Sequence, residues 1–151
     1  MAIEIKDATV ADMPVMAKAA HVWHDIAPYA EFQRYNEQNA SDTVYQLLQN
    51  PNCKFVLAWD EEKMVGLLFG HLQPNFYDSS QMFARCAFYA VIPGYQKKGV
   101  SKMLRSTFEV WAKERGAGAL AYTPYSKQAI ASLKREGFKR VEVTMMKRLE
   151  G

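Results

Sequence analysis

Along this chain the apolar positions switch between a spacing of two and a spacing near 3.6, and the switches mark the expected elements. Residues 3–6 read Ile-Glu-Ile-Lys, an alternation that predicts a short strand. Thr9 is placed to cap a helix, with Asp12 three residues on in a capping-box arrangement. Pro14 falls in the first turn, where a missing N–H is tolerated. Met13, Met16, Ala17 and Ala20 then share one helical face. Ser41 predicts the cap of a second helix, with Asp42 in its first turn and Val44, Leu47 and Leu48 facing inward. Asn50-Pro51-Asn52 stops it. Residues 54–59 and 64–71 read as strands of a hairpin about the polar turn Asp60-Glu-Glu-Lys63.

Residues 82–92 are almost wholly apolar, which predicts a central strand covered on both faces. Val100, Met103, Leu104, Phe108 and Trp111 mark the apolar face of a helix ending near Gly116. A strand over 119–122, a helix over 127–135 stopped by Gly137, and an alternating final strand over 140–149 complete the pattern. The order β-α-α-β-β-β-α-β-α-β predicts an α/β fold with a mixed, mostly antiparallel central sheet and helices on both faces. The strand–helix–strand unit over 82–122 should be a right-handed crossover with parallel strands. With no repeat, low-complexity tract or Gly/Ser linker, residues 1–151 are expected to form one domain.

Composition narrows the function classes. The 151 residues are 49% apolar and 23% charged, with a net charge of +3. That mild charge comes without a Lys/Arg block, so no nucleic-acid partner is expected. No apolar run approaches the ~18 residues of a membrane span, and no apolar stretch follows a basic start as in a leader peptide. A cytoplasmic setting with no membrane partner is the expectation. Cys53 and Cys86 sit in strand-like apolar text and read as free buried thiols.

The chemistry concentrates where the central strand ends, in Val91-Ile-Pro-Gly-Tyr-Gln-Lys-Lys-Gly-Val-Ser-Lys-Met-Leu104. A helix that starts just after a turn leaves its first N–H groups without partners. Those donors and the positive end of the helix dipole favour an anion. Gly99 removes the Cβ that would hold a ligand off the backbone. Ser101 is small, and Lys97 and Lys98 add charge at the rim. A pyrophosphate is the group best served. The spacing matches neither a P-loop nor a dinucleotide fingerprint, and on its own the loop is equally consistent with a solvated basic turn.

Gln96-Lys-Lys-Gly-Val-Ser101 resembles the acetyl-coenzyme A signature of the GNAT N-acetyltransferases, Arg/Gln-x-x-Gly-x-Gly/Ala, and it lies between a buried strand and a helix as in that family. Phe108-Glu-Val-Trp-Ala-Lys-Glu-Arg-Gly116 and the pattern Ala129-Ile130 followed by Glu136-Gly137-Phe138 are similar to family text as well. The element order agrees from Ile3 to Leu149, least specifically in the N-terminal third, and the whole looks most like small bacterial or phage-encoded members. The resemblance implies a splayed parallel strand pair, with the pantetheine arm of acetyl-CoA pairing to backbone near Ala90, Val91 and Ile92. It places the pyrophosphate on the amides of Gln96, Lys97, Lys98, Gly99, Val100 and Ser101. It implies transfer of acetyl to a primary amine, on a small molecule or a protein, by direct attack through a tetrahedral intermediate, with a backbone N–H near Val91 stabilising the oxyanion. A homodimer is a further family trait.

Three positions depart from the family. Ser101 replaces Gly or Ala. Ser126 stands where an Asn often contacts the cofactor arm. Leu133 stands where many members place the Tyr that protonates the leaving thiolate. A thiol pKa of about 8.5 makes a thiolate a tolerable leaving group. Tyr125, or else Tyr122, is a candidate acid from another position, while simple packing is an equal reading of both. The central strand has no Asp or Glu between Met82 and Ile92, so the base is sought among Glu31, Asp25, His24, His21 and His71, each more often a plain surface or helix-end residue, or in a bound water. Trp23, Tyr29, Phe32 and Tyr35 suggest core first and an acceptor pocket second. Leu133 and the missing strand carboxylate leave a rival expectation, a non-catalytic acyl-CoA-binding or protein-interaction module on the same fold.

Overall fold

A computed structural model describes residues 2–149. Its five strands are β1 (Ile3–Asp7), β2 (Cys53–Asp60), β3 (Lys63–Pro74), β4 (Met82–Val91) and β5 (Ala117–Ala121). They form one sheet in the order β1-β2-β3-β4-β5. The first four pair antiparallel, and β4 pairs with β5 in parallel. The helices are α1 (Met13–Ile26), α2 (Glu37–Leu48), α3 (Val100–Glu114) and α4 (Lys127–Arg135). The parallel step is the expected crossover, carried by α3. Among the described residues no helix is long and apolar enough to cross a membrane.

Period-two patterning in the strands splits the core into two layers. Val56 and Ala58 of β2, with Val65, Leu68, Ala84 and Cys86, meet Val100, Leu104 and Phe108 of α3. Phe55, Leu57, Leu67 and Phe69 face the other way, onto Met16 and Trp23 of α1 and Val44 and Leu47 of α2. Helices therefore cover both faces. Phe108 is seated against Gly70, where a Cβ would lie 2.3 Å from its ring.

Thr9 caps a short 3-10 turn (Val10–Asp12), its N–H donating to the Asp12 carboxylate at 2.8 Å, and Asp12 takes the cap position of α1 expected of Thr9. Two further expectations need correction. Helix α2 begins a turn before Ser41. Asn36 is its cap and accepts from Asn39 N–H at 3.0 Å. Asn caps as well as Ser does, and the polar first turn Glu37-Gln-Asn hides the helix from an apolar pattern.

The expected final strand over 140–149 does not form. Alternation yields a strand only where a neighbour supplies ladder bonds and cover. Here Val141, Met145 and Leu149 are 85–90% exposed. The segment is tied instead by Glu142 to Arg85 at 3.5 Å and by Arg148 to the Glu31 carbonyl. So β5 remains an edge strand, and an open groove of about 660 Å³ runs between it and α3.

Candidate active site

The site begins with one extra residue in β4. Phe69 pairs with Phe88 and Gly70 with Cys86, so Ala87 has no partner on β3. A bulge bends the strand that carries it. The parallel ladder ends just before this point, at Arg85 opposite Ala121. Beyond it β4 and β5 part, and the rings of Tyr89 and Tyr122, 5.7 Å apart, stand on either side of the opening. The Tyr89 and Tyr122 hydroxyls and Arg105 Nε are buried with no protein partner. Burial is the main reason that both phenol pKa values are raised.

Backbone alternation decides which groups face the opening. Ile92 N–H donates to Val65 O of the neighbouring strand at 2.9 Å. In an antiparallel ladder the next residue turns its groups the other way. The N–H and C=O of Val91 therefore face the gap, and those of Ala90 face β3. The Gln96 side chain donates to Val91 O at 3.4 Å. Of the three residues expected to pair with an extended ligand arm, only Val91 offers backbone on the open side.

The loop after β4 leads straight into α3. Gly99 is the α3 cap, in the left-handed region at φ 77°, with no side-chain cap bond. A Cβ built there would meet nothing within 4 Å. By helix geometry the amides of Val100, Ser101 and Lys102 lack intrahelical acceptors, and no acidic residue lies in the first turn. Gln96, Lys97, Lys98 and Gly99 are exposed. The loop is buttressed by Tyr95, whose hydroxyl donates to Asp60 at the end of β2 and whose ring carries Lys98 Nζ at 5.0 Å. Sequence reasoning missed this support, because Tyr95 and Asp60 are brought together only by sheet pairing.

Across the opening, Tyr125 is 45% exposed and its O–H donates to Tyr29 OH at 3.2 Å. The two rings meet edge to face. Burial first, then the bond to Tyr29, raises the Tyr125 pKa, so it keeps its proton at neutral pH. Glu31 lies two residues past Tyr29, exposed, in a short 3-10 helix (Ala30–Phe32). Ser126 caps α4, its Oγ accepting from Ala129 N–H at 3.1 Å. That leaves Ser126 its O–H as a donor. Leu133 is 4% exposed and offers no polar group.

The remaining candidates are committed elsewhere. His24 uses both ring nitrogens, on Asp25 at 3.1 Å and on Gln33 O at 2.6 Å. His21 stacks on Tyr35, and Trp23 packs against Phe88. Cys86 is buried, with its pKa pushed up by that burial, so it is a packed thiol and no nucleophile. Cys53 is free and half-buried. Arg105 joins α3 to α4 through Glu136 at 3.1 Å and Ser132 Oγ at 3.4 Å.

The Acetyltransferase (GNAT) family profile matches residues 18–138. The chain belongs to this family. No curated protein matches it by sequence. Solved structures share the GNAT fold at low identity. One is a transcriptional regulator from Bacillus halodurans, 20% identical with a TM-score of 0.77, covering 98% of this chain and 100% of that one. Another is the aminoglycoside 6'-N-acetyltransferase AAC(6')-Ih from Acinetobacter baumannii, 17% identical, TM-score 0.75, covering 99% and 100%. A third is AAC(6')-Iy in complex with a CoA bisubstrate analogue, 15% identical, TM-score 0.72, covering all of both chains. In this GNAT chain the residues at the opening fit an acyl-CoA: an open Gly99 cradle, free helix amides, an outward Val91 backbone and unpartnered hydroxyls at the strand gap.

Proposed function

We propose that this GNAT protein transfers an acetyl group from acetyl-CoA to a primary amine. The observation that carries the reading is the Gly99 cradle at the N-terminus of α3, set directly beyond the parted strands. The amides of Val100, Ser101 and Lys102, with those of Gln96, Lys97 and Gly99, would hold the pyrophosphate, the Lys98 N–H being taken by the Tyr95 carbonyl at 3.2 Å, and the Lys97 and Lys98 side chains would add charge at its rim. Val91 N–H faces the gap and would hold the carbonyl oxygen as charge develops on it. Acetyl-CoA, when bound, supplies the thioester carbon that the amine attacks. Tyr125 would return a proton to the departing sulfur, and Ser126 O–H would steady the arm. Glu31 is the carboxylate nearest in sequence to the Tyr29–Tyr125 contact and is proposed to take the amine proton, directly or through water.

Isothermal titration with acetyl-CoA tests the cradle; absence of heat at millimolar ligand would overturn the reading. Turnover of acetyl-CoA is then measured against a panel of small amines, aminoglycosides and lysine peptides. Leu133 favours a second reading, a non-catalytic acyl-CoA-binding module, because an apolar buried side chain stands where family members carry an acid. Tight CoA binding with no acceptor across the panel would select it. Residues 1–151 as one domain and a cytoplasmic setting complete the proposal.

A further inference from the structure

His24 sits where α1 gives way to the segment that carries Tyr29, and both its ring nitrogens face oxygen. Nδ1 lies 3.1 Å from Asp25 Oδ1, and Nε2 lies 2.6 Å from the Gln33 carbonyl. An ionised carboxylate and a peptide carbonyl can only accept, whereas a neutral imidazole has a single N–H. Neutral His24 would leave one nitrogen lone pair pointing at an oxygen lone pair. Only the imidazolium satisfies both contacts.

The consequence reaches the acceptor side by short steps. Turn bonds run from Ala27 N–H to His24 O, Ala30 N–H to Ala27 O, Phe32 N–H to Tyr29 O and Gln33 N–H to Ala30 O. Fixing Gln33 therefore fixes the turn that presents Tyr29, and Tyr29 accepts the Tyr125 hydroxyl. We propose that His24 is a positioning residue that acts as an imidazolium, donating from both nitrogens to hold the 27–33 turn and with it the Tyr29–Tyr125 pair. The proposal rests on Tyr125 as the acid of the acetyl transfer above.

The surroundings agree. On α1, Asp25 also faces His21 Nε2 at 3.6 Å. From the segment before α2, the Tyr35 ring stands 5.5 Å from His24, with Glu37 at the start of α2 acting on the Tyr35 hydroxyl. The bond to Asp25 foremost, then the Gln33 carbonyl, raises the His24 pKa above the usual 6.5, against a smaller opposing effect of burial.

The test is an NMR titration of the full chain labelled with ¹³C in its three histidines, with His24→Gln assigning the signal. The expected midpoint for His24 is above 6.5, with the Tyr29 and Tyr125 ring signals moving through the same midpoint. In Asp25→Asn the midpoint should fall, and this variant carries the test if His24→Gln does not fold. A native midpoint at or below 6.5, no fall in Asp25→Asn, or tyrosine signals that stay still through the His24 titration would overturn the proposal. No ligand is needed, so a failed acetyl-CoA titration would sink the enzymatic reading and leave this result standing.

Discussion

The two sides of the strand gap are built differently. The side proposed for the cofactor is backbone: Val91, Gly99 and the first turn of α3 lie within a dozen or so residues and offer amides and space. The side proposed for the acceptor rests on side chains: Tyr125 bonds to Tyr29 across 96 positions, and His24 bonds to the Gln33 carbonyl of the turn that carries Tyr29. Backbone donors at a helix start exist as soon as the helix exists. Side-chain contacts between distant segments exist only once everything else is in place. The cofactor side should therefore resist surface substitution and fail at its glycine, while the acceptor side should fail piecemeal and respond to pH.

Substitution at each side separates them. Tyr125→Phe should lower kcat by ~10²–10⁴-fold, the usual worth of general acid help, with acetyl-CoA affinity unchanged by titration calorimetry. A proportionate loss of affinity would mean that Tyr125 belongs to the cofactor side. Gly99→Val forces a β-branched residue into the left-handed region, a strain of about 1–3 kcal/mol. It should weaken acetyl-CoA by about 10–100-fold in the same assay. Gly70→Ala drives a methyl into the Phe108 ring beneath α3 and should cost about 1–3 kcal/mol of stability in urea melts. The acceptor-side tyrosines should keep their NMR contacts in that variant.

Two weaker effects sharpen the contrast. Lys97→Ala should reduce acetyl-CoA affinity only a few-fold, about 0.2–1 kcal/mol, and less so at high salt. The raised His24 pKa contributes stability that is complete below about 6.5 and is lost as pH rises through the raised value. The melting-temperature gap between the native chain and His24→Gln should therefore be wider near pH 6 than near pH 9. An equal gap at both would separate His24 from any titrating role.

The same asymmetry explains what the sequence revealed. The turn at 96–101 and the face Val100, Leu104, Phe108 of α3 are local patterns, and they are enough to place the start of α3 and its Gly99 cap. Asn36 was overlooked because α2 opens on polar residues, so the apolar period starts a turn late. Alternation over 140–149 is present in the text, but no strand edge meets it, and pattern alone cannot supply one. The commitment of His24 to Gln33, and of Tyr125 to Tyr29 across 96 positions, follows from tertiary approach and leaves no trace in spacing. The outward turn of Val91 is likewise a property of ladder phase rather than of side chains.

The gap that Val91 faces begins at Ala87. Remove this single residue and β4 would count evenly against β3. Cys86 would still lie opposite Gly70 and Phe88 opposite Phe69, so every side chain would keep its layer, but the strand would lose its bend and run on beside β5 with nothing to divert it. The gap between the strands is thus a miscount of one, written in the backbone. It asks nothing of the side chains around it beyond fitting their layers, so those side chains are left free to vary while the opening itself stays where it is.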